Sequence, residues 1–211
     1  MIQLWHCANA RSFRPLWMLE EMQLPYQLHL LPFPPRYRHP GWLEINPLGT
    51  IPYLTEGEAV LTESSGILHY LTQAHGPTDL AVTPAEPDFA LYTNYLFQSD
   101  ATFTFPQTLV LRYRVLEAPE KRLPQVADAY AKWFLARMTW VETHLGGTQH
   151  QGGREWLVAG RFTAADIAVG YACLLAETLG LFADLGPATR DWWGRCKERD
   201  GYRRARAAQS G

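Results

Sequence analysis

Residues 46–71 read NPLGTIPYLTEGEAVLTESSGILHYL, and the fold of the first part of the chain turns on how this stretch divides. Pro52-Tyr53-Leu54 and Ala59-Val60-Leu61 are short strand-like runs, and Thr55-Glu56-Gly57-Glu58 between them supplies a turn, so the pair reads as a hairpin. From Ser64 to Thr72 the apolar residues Ile67, Leu68 and Leu71 recur at helical spacing. Further back, Tyr26 to Leu31 is a strand stopped by Pro32-Phe33-Pro34-Pro35, because proline has no N–H for a ladder. Arg11 to Met22 is a helix with Phe13, Leu16 and Trp17 on one side. Pro15 falls early in it, where a missing N–H matters little. Ile2 to Trp5 is a short apolar run that suits a buried strand. The order is βαβ, an irregular stretch, then ββα.

The character changes near Gly76. Residues 76–87 hold Pro77, Pro84 and Pro87 and no sustained period, so they read as a linker. Beyond them every pattern is helical. Val126, Tyr130, Trp133, Phe134, Met138, Val141 and Leu145 mark one face of a long helix. Thr163-Ala-Ala-Asp166 opens another, with a threonine N-cap and an acidic residue placed to satisfy free amide donors reciprocally. Ile167 to Leu175 is apolar nearly all round, which puts that helix at the centre of its domain. The expected organisation is an α/β domain over 1–75, a linker over 76–87 and an all-helical domain over 88–211.

Composition narrows the function classes. The chain has 211 residues, 47% hydrophobic and 13% aromatic, enough apolar surface to exclude disorder. A formal net charge of -2 gives no global attraction to nucleic acid or anionic membrane. No apolar run is long enough to span a bilayer, and no signal-peptide pattern opens the chain. Cys7, Cys173 and Cys196 are too few and too scattered for a disulfide framework or a zinc cluster, and they fit a reducing, cytoplasmic setting. The 7 histidines show no paired ligand spacing, so no metal is expected.

Three strings, in order, resemble the cytosolic glutathione transferase family: Asn46-Pro-Leu-Gly-Thr-Ile-Pro52-Tyr-Leu, then Glu63-Ser64-Ser65-Gly-Ile67-Leu-His-Tyr70-Leu71, then Gly160-Arg-Phe-Thr163-Ala-Ala-Asp166-Ile167. The resemblance covers essentially the whole chain and is to the bacterial, serine- or cysteine-type members. It implies a thioredoxin-like N-terminal domain on a mixed four-stranded sheet, a helical C-terminal domain that contributes the electrophile pocket, and a homodimer. It also implies glutathione as co-substrate, an apolar small-molecule electrophile as its partner, and detoxification by a cytoplasmic transferase. Family members hold the proline at Pro52 in cis, so that the main chain of Ile51 can pair with the cysteinyl part of glutathione like an added strand. Glu63 and Ser64 correspond to the residues that receive the γ-glutamyl end. Glu63 suits the ammonium, and Ser64 with its helix-end amide suits the carboxylate. The loop of Arg36, Tyr37 and Arg38 commonly supplies a partner for the glycyl carboxylate, and Arg38 is the candidate.

For the thiol-activating position, the resemblance implies a residue just after the first strand. By that spacing Cys7 takes the place, where a helix N-terminus would lower its pKa. Ala8 stands where cysteine-type relatives carry proline. Asn9 is the other polar candidate and Ser12 a third, while Trp5 excludes a catalytic tyrosine at the usual site. A buried, inert Cys7 is the competing reading. Cys173 reads as core and Cys196, among Arg195, Lys197 and Arg199, as a semi-exposed residue without a role. For the second substrate, Gln98, Phe105 and Tyr113, with Asn94, Phe97 and Ala101, fall on the first long helix after the linker. Core packing explains those aromatics equally well. Three readings of function follow: conjugation of glutathione to a hydrophobic electrophile, a Cys7-dependent thiol transferase or reductase, and a non-catalytic glutathione-binding protein.

Overall fold

The computed structural model describes residues 1–147 and 152–210 and divides into two compact units. The first comprises Met1–Ala81 together with the stretch that begins at Lys197, and the second is Val82–Cys196. The chain after Lys197 thus groups with the α/β unit, whereas the sequence pattern assigned all of 88–211 to the helical domain. Residues 148–151 and 211 of that expected domain lie outside the described residues.

In the first unit, β1 (Ile2–His6), α1 (Phe13–Met22) and β2 (Tyr26–Leu30) form the βαβ motif. Two short helices, α2 (Pro35–Arg38) and α3 (Trp42–Ile45), occupy the stretch that shows no period in the sequence. β3 (Tyr53–Glu56), β4 (Ala59–Leu61) and α4 (Ser64–Ala74) complete the ββα half. The sheet order is β2-β1-β3-β4, with β1 parallel to β2 and the other pairs antiparallel, so the sheet is mixed and four-stranded as expected. Side chains alternate across β1: Ile2, Leu4 and His6 are buried, while Gln3 and Trp5 are half-buried on the opposite face. There Trp5 stacks on His29, and Tyr53 meets Trp5 and the buried Trp42 edge-on.

Helix α1 is buried over its whole first half, from Phe13 to Leu19. One reason is the last helix of the chain, α10, which packs along it. Before that come, in the second unit, α5 (Phe89–Gln98), a π-helical turn over Ser99–Thr104, α6 (Phe105–Leu111), a second π turn over Arg112–Leu116, α7 (Pro124–Gly146), α8 (Ala164–Leu179) and α9 (Pro187–Glu198). α10 (Asp200–Ala208) lays Tyr202 edge-on against the rings of Phe13 and Trp17, with centroids 5.6 and 5.1 Å apart. Arg199 grips the carboxylate of Glu21 at 2.9 and 2.8 Å, and Arg204 pairs with Glu20 at 2.9 Å.

In the second unit α8 is central, and every residue from Ala164 to Ala176 is buried. Its start carries the capping box read from the sequence: Thr163 Oγ1 accepts from the Ala165 amide, and Asp166 accepts from the Thr163 amide at 2.8 Å. On α7 the buried face is Ala127, Ala131, Phe134, Met138, Val141 and Leu145. Trp133, grouped with that face by spacing, is instead 43% exposed, because small Ala127 and Ala131 take the inward positions beside it. No helix among the described residues is long and apolar enough to cross a membrane.

Candidate active site

The β1–β3 ladder decides what meets what. Trp5 pairs with Tyr53, the first residue of β3, close to the end of β1 at His6. The turn after β1 therefore lies beside the loop that opens β3. That loop is built by Asn46, whose side-chain amide donates to the Thr50 carbonyl at 2.8 Å and whose Oδ1 accepts from the Leu48 amide at 3.1 Å. Gly49 turns the chain at φ +66, with the Arg36 side chain and Leu43 packed so close that a Cβ would strike both. The Ile51–Pro52 peptide is cis. Ile51 N–H and C=O take no partner among the described main-chain hydrogen bonds, so this edge of the loop is open to an extended peptide.

The head of α4 supplies the second element. Glu63 occupies the N-cap position with extended backbone, yet its carboxylate makes no capping bond and is exposed. Ser64, only 2% exposed, accepts a hydrogen bond from Arg14 Nη1 at 2.9 Å. Arg14 is itself fully buried in α1. A helix N-terminus with a guanidinium behind its first hydroxyl is a site for a carboxylate. The sequence pattern passes over Arg14, although it stands next to the apolar stripe of α1 on the helical wheel, only a fraction of a turn from Trp17. In the stretch of α2, Arg36, Tyr37 and Arg38 are all exposed, and Arg36 Nη2 donates to the Leu48 carbonyl at 2.9 Å.

The turn after β1 corrects one expectation. Cys7 is fully buried, its Sγ directed to the Pro32 carbonyl at 3.7 Å, and burial pushes its thiol up to about 12. A thiol in that setting stays protonated, so the lowered pKa expected from a helix N-terminus is not found. The desolvation of the sulfur outweighs the helix end. Ser12 is equally buried and engaged: its Oγ lies 2.8 Å from His6 Nδ1 and accepts from the Cys7 amide at 3.2 Å. Asn9 is the polar side chain of this turn that remains exposed. It sits at φ +57, a left-handed conformation that asparagine tolerates better than most residues.

His6 has a measurable consequence. Burial pushes its pKa from 6.5 down to about 4. Between those values the unfolded chain binds a proton that the folded chain refuses. Stability is therefore complete above pH 6.5 and falls as the pH drops towards 4, by at most about 1.4 kcal/mol per pH unit. Asp166 titrates with the opposite sign over part of this range, so in denaturant unfolding the slope belongs to the difference between the unfolding free energies of wild type and His6→Gln, which should shrink as the pH falls from 6.5 to 4. An equal slope in the variant would contradict the assignment.

In the second unit, Gln98 ends α5 with its Oε1 buried and without a partner. Phe105 opens α6 at 48% exposure, edge-on to Tyr130. Tyr113 lies in the second π turn with the Arg112 guanidinium 5.4 Å from its ring centre. Cys173 and Cys196 are buried and outside any disulfide; Cys196, expected to be semi-exposed, is instead covered on the inner face of α9 with Trp192 and Trp193. Among the described residues no group of His, Cys, Asp or Glu side chains could hold a metal ion.

Comparison with known proteins bears on this geometry. Residues 10–74 match the family model "Glutathione S-transferase, N-terminal domain". The chain is similar to glutathione S-transferase 3 of Schizosaccharomyces pombe, 26% identical over 190 residues that make up 84% of this chain and 75% of the yeast protein. In fold it is similar to a glutathione transferase of Methylococcus capsulatus, with a TM-score of 0.83 at 20% identity, covering 100% of this chain and 99% of the other. It is also similar to Ure2p5 of Phanerochaete chrysosporium cocrystallized with 1-(S-glutathionyl)-2,4-dinitrobenzene, with a TM-score of 0.82 at 22% identity, covering 99% and 94%.

Proposed function

We propose, from the premise that the chain belongs to the glutathione transferase family, that it conjugates the thiolate of glutathione to an apolar electrophile. The observation that carries the reading is the open main chain of Ile51, at the end of the loop that Asn46 orders and just before the strand that pairs with β1. In this reading Ile51 and Pro52 receive the cysteinyl part of glutathione. Ser64 and the amides at the head of α4 take the γ-glutamyl carboxylate, and the exposed Glu63 takes the ammonium. Arg38, exposed at the end of α2, meets the glycyl carboxylate, while Arg36 donates to the Leu48 carbonyl.

The chemistry asks little of the protein beyond stabilising a thiolate. A donor aimed at the sulfur, together with the positive end of a helix, lowers the thiol pKa and lets the proton pass to water. The sulfur then attacks the electrophilic carbon. With an aryl halide a C–S bond forms, the carbon–halogen bond breaks and halide leaves. Asn9 is the donor of choice here, because Cys7 is buried and protonated. Gln98, Phe105 and Tyr113 are the residues assigned to the electrophile. Three cysteines outside any disulfide suit a glutathione-rich cytoplasm, and the assembly expected is a homodimer of twice the 24.0 kDa chain mass, which light scattering measures directly.

The test is a conjugation assay with 1-chloro-2,4-dinitrobenzene, whose product is the adduct bound by Ure2p5. Turnover above the spontaneous rate is expected, and Cys7→Ala should keep at least half of it. Intact-protein mass after incubation with oxidised glutathione should show no adduct on Cys7. Loss of conjugation in Cys7→Ala, or such an adduct, would instead establish the thiol-transfer reaction.

A further inference from the structure

We infer that Gln209 and Arg206 are positioning residues for the Asn9 amide, and that the end of the chain thereby sets the polarity of the thiolate site. The inference rests on the reading of Asn9 as the thiolate donor. Gln209 follows α10, yet both ends of its carboxamide are used on a residue 200 positions earlier. Its Oε1 accepts from the Asn9 amide at 3.1 Å, and its Nε2 donates to Asn9 Oδ1 at 3.0 Å, which closes a ring of two hydrogen bonds. Arg206 Nη1 donates to the same Oδ1.

Two donors on Oδ1 fix which way the Asn9 amide faces. The carbonyl end is taken by the C-terminal segment, so the end Asn9 can offer a sulfur is Nδ2, a donor. The reversed amide would present an oxygen and repel a thiolate. The same clamp holds the left-handed backbone of Asn9 through its N–H.

The clamp is seated in a buried relay. Gln209 Oε1 also lies 3.2 Å from His6 Nε2, and because that oxygen only accepts, the imidazole carries its proton there. His6 Nδ1 is then the acceptor for Ser12 Oγ–H at 2.8 Å, and Ser12 Oγ accepts from the Cys7 amide. Gln209 is 8% exposed, and His6 and Ser12 are fully buried. Helix α10 does not need Gln209 for anchorage, since Tyr202, Arg199 and Arg204 already fasten it to α1. What Gln209 adds is the orientation of Asn9. The ionisable groups around that amide are Arg206, Arg11, His6 and Cys7, and burial pushes His6 down to about 4 and Cys7 up to about 12. A pH profile between about 6 and 9 therefore reports the glutathione thiol itself.

The experiment uses the full chain and four proteins: wild type, Asn9→Ala, Gln209→Ala and the double variant. The thiolate absorbance of bound glutathione is titrated, its affinity is measured by calorimetry, and kcat and KM are taken with 1-chloro-2,4-dinitrobenzene. Gln209→Ala should raise the bound thiol pKa by about one unit, which is tenfold less thiolate at neutral pH. Its kcat should fall with it and recover at high pH, while glutathione affinity stays within about twofold. Gln209→Glu, which accepts from the Asn9 amide but cannot donate to Oδ1, should behave likewise. The double variant should match Asn9→Ala. If Asn9→Ala shifts the thiol pKa and Gln209→Ala does not, or if the two effects add, the positioning role is overturned and Asn9 keeps its own. If Asn9→Ala itself leaves the pKa unchanged, the thiolate role of Asn9 fails and the positioning role falls with it.

Discussion

Asp166→Ala should lower stability by about 4 kcal/mol, the largest loss expected of a single substitution in this chain. Four donors converge on this carboxylate. Oδ1 accepts from the Leu157 amide at 3.0 Å and from Trp192 Nε1 at 2.9 Å, and Oδ2 accepts from the Thr163 amide at 2.8 Å and Thr163 Oγ1 at 3.3 Å. Asp166, Thr163, Leu157 and Trp192 are all fully buried, so alanine strands two amides and an indole N–H with no water to replace the oxygens. The same change unhooks the start of the central helix from α9. Thr163→Ala removes only a cap and should cost about 1 kcal/mol. Asp166→Asn, which keeps one acceptor oxygen, should fall between the two. Burial pushes the Asp166 carboxyl from 3.8 up to about 6 against the pull of its donors. A folded value above the unfolded one means that the protonated form is favoured in the fold. The contribution of Asp166 is therefore full below pH 3.8 and lessens as the pH rises to 6. Urea unfolding of the three variants checks the ranking, and a loss under about 1 kcal/mol for Asp166→Ala would contradict it.

Ser64→Ala should weaken glutathione binding about 100-fold and, by taking an acceptor from the buried Arg14, lower stability by about 1–3 kcal/mol. Its hydroxyl oxygen accepts from Arg14, and the hydroxyl keeps a proton of its own to donate. A carboxylate at the head of α4 then meets that donor, the helix-end amides and the charge of Arg14. Alanine removes the charge-assisted bond and takes from Arg14 one of its acceptors. Ser64→Thr, which keeps the hydroxyl, should retain most of the affinity. Calorimetry with glutathione distinguishes these outcomes, and an Ser64→Ala protein that binds as well as wild type would place the γ-glutamyl end elsewhere.

The parts of this molecule that were legible in the sequence are those whose physics is local. The capping box is a matter of residues three apart, so Thr163 and Asp166 could be read directly, while their partners Leu157 and Trp192 could not. The hairpin over Tyr53–Leu61 is likewise written in its own turn. Helices α2 and α3 are single turns dense in proline and aromatic residues, too short to show a period. Burial of the sites is a long-range property. Spacing puts Cys7 at the activating position, but it says nothing of Pro32 or of the packing that dries the thiol. Arg14 looks like a surface residue until α4 supplies Ser64 and α1 is covered from several sides. Gln209 is the extreme case, since its partners stand at the other end of the chain and nothing near it in sequence marks it.

The central claim is that the first unit binds glutathione through Ile51, Glu63 and Ser64, and calorimetric titration of the full chain with reduced glutathione tests it most directly. The account predicts a saturable heat with one glutathione per chain, lost largely in Ser64→Ala and Glu63→Gln and kept in Cys7→Ala. No saturable heat up to about 5 mM glutathione, or binding indifferent to Glu63 and Ser64, would contradict it.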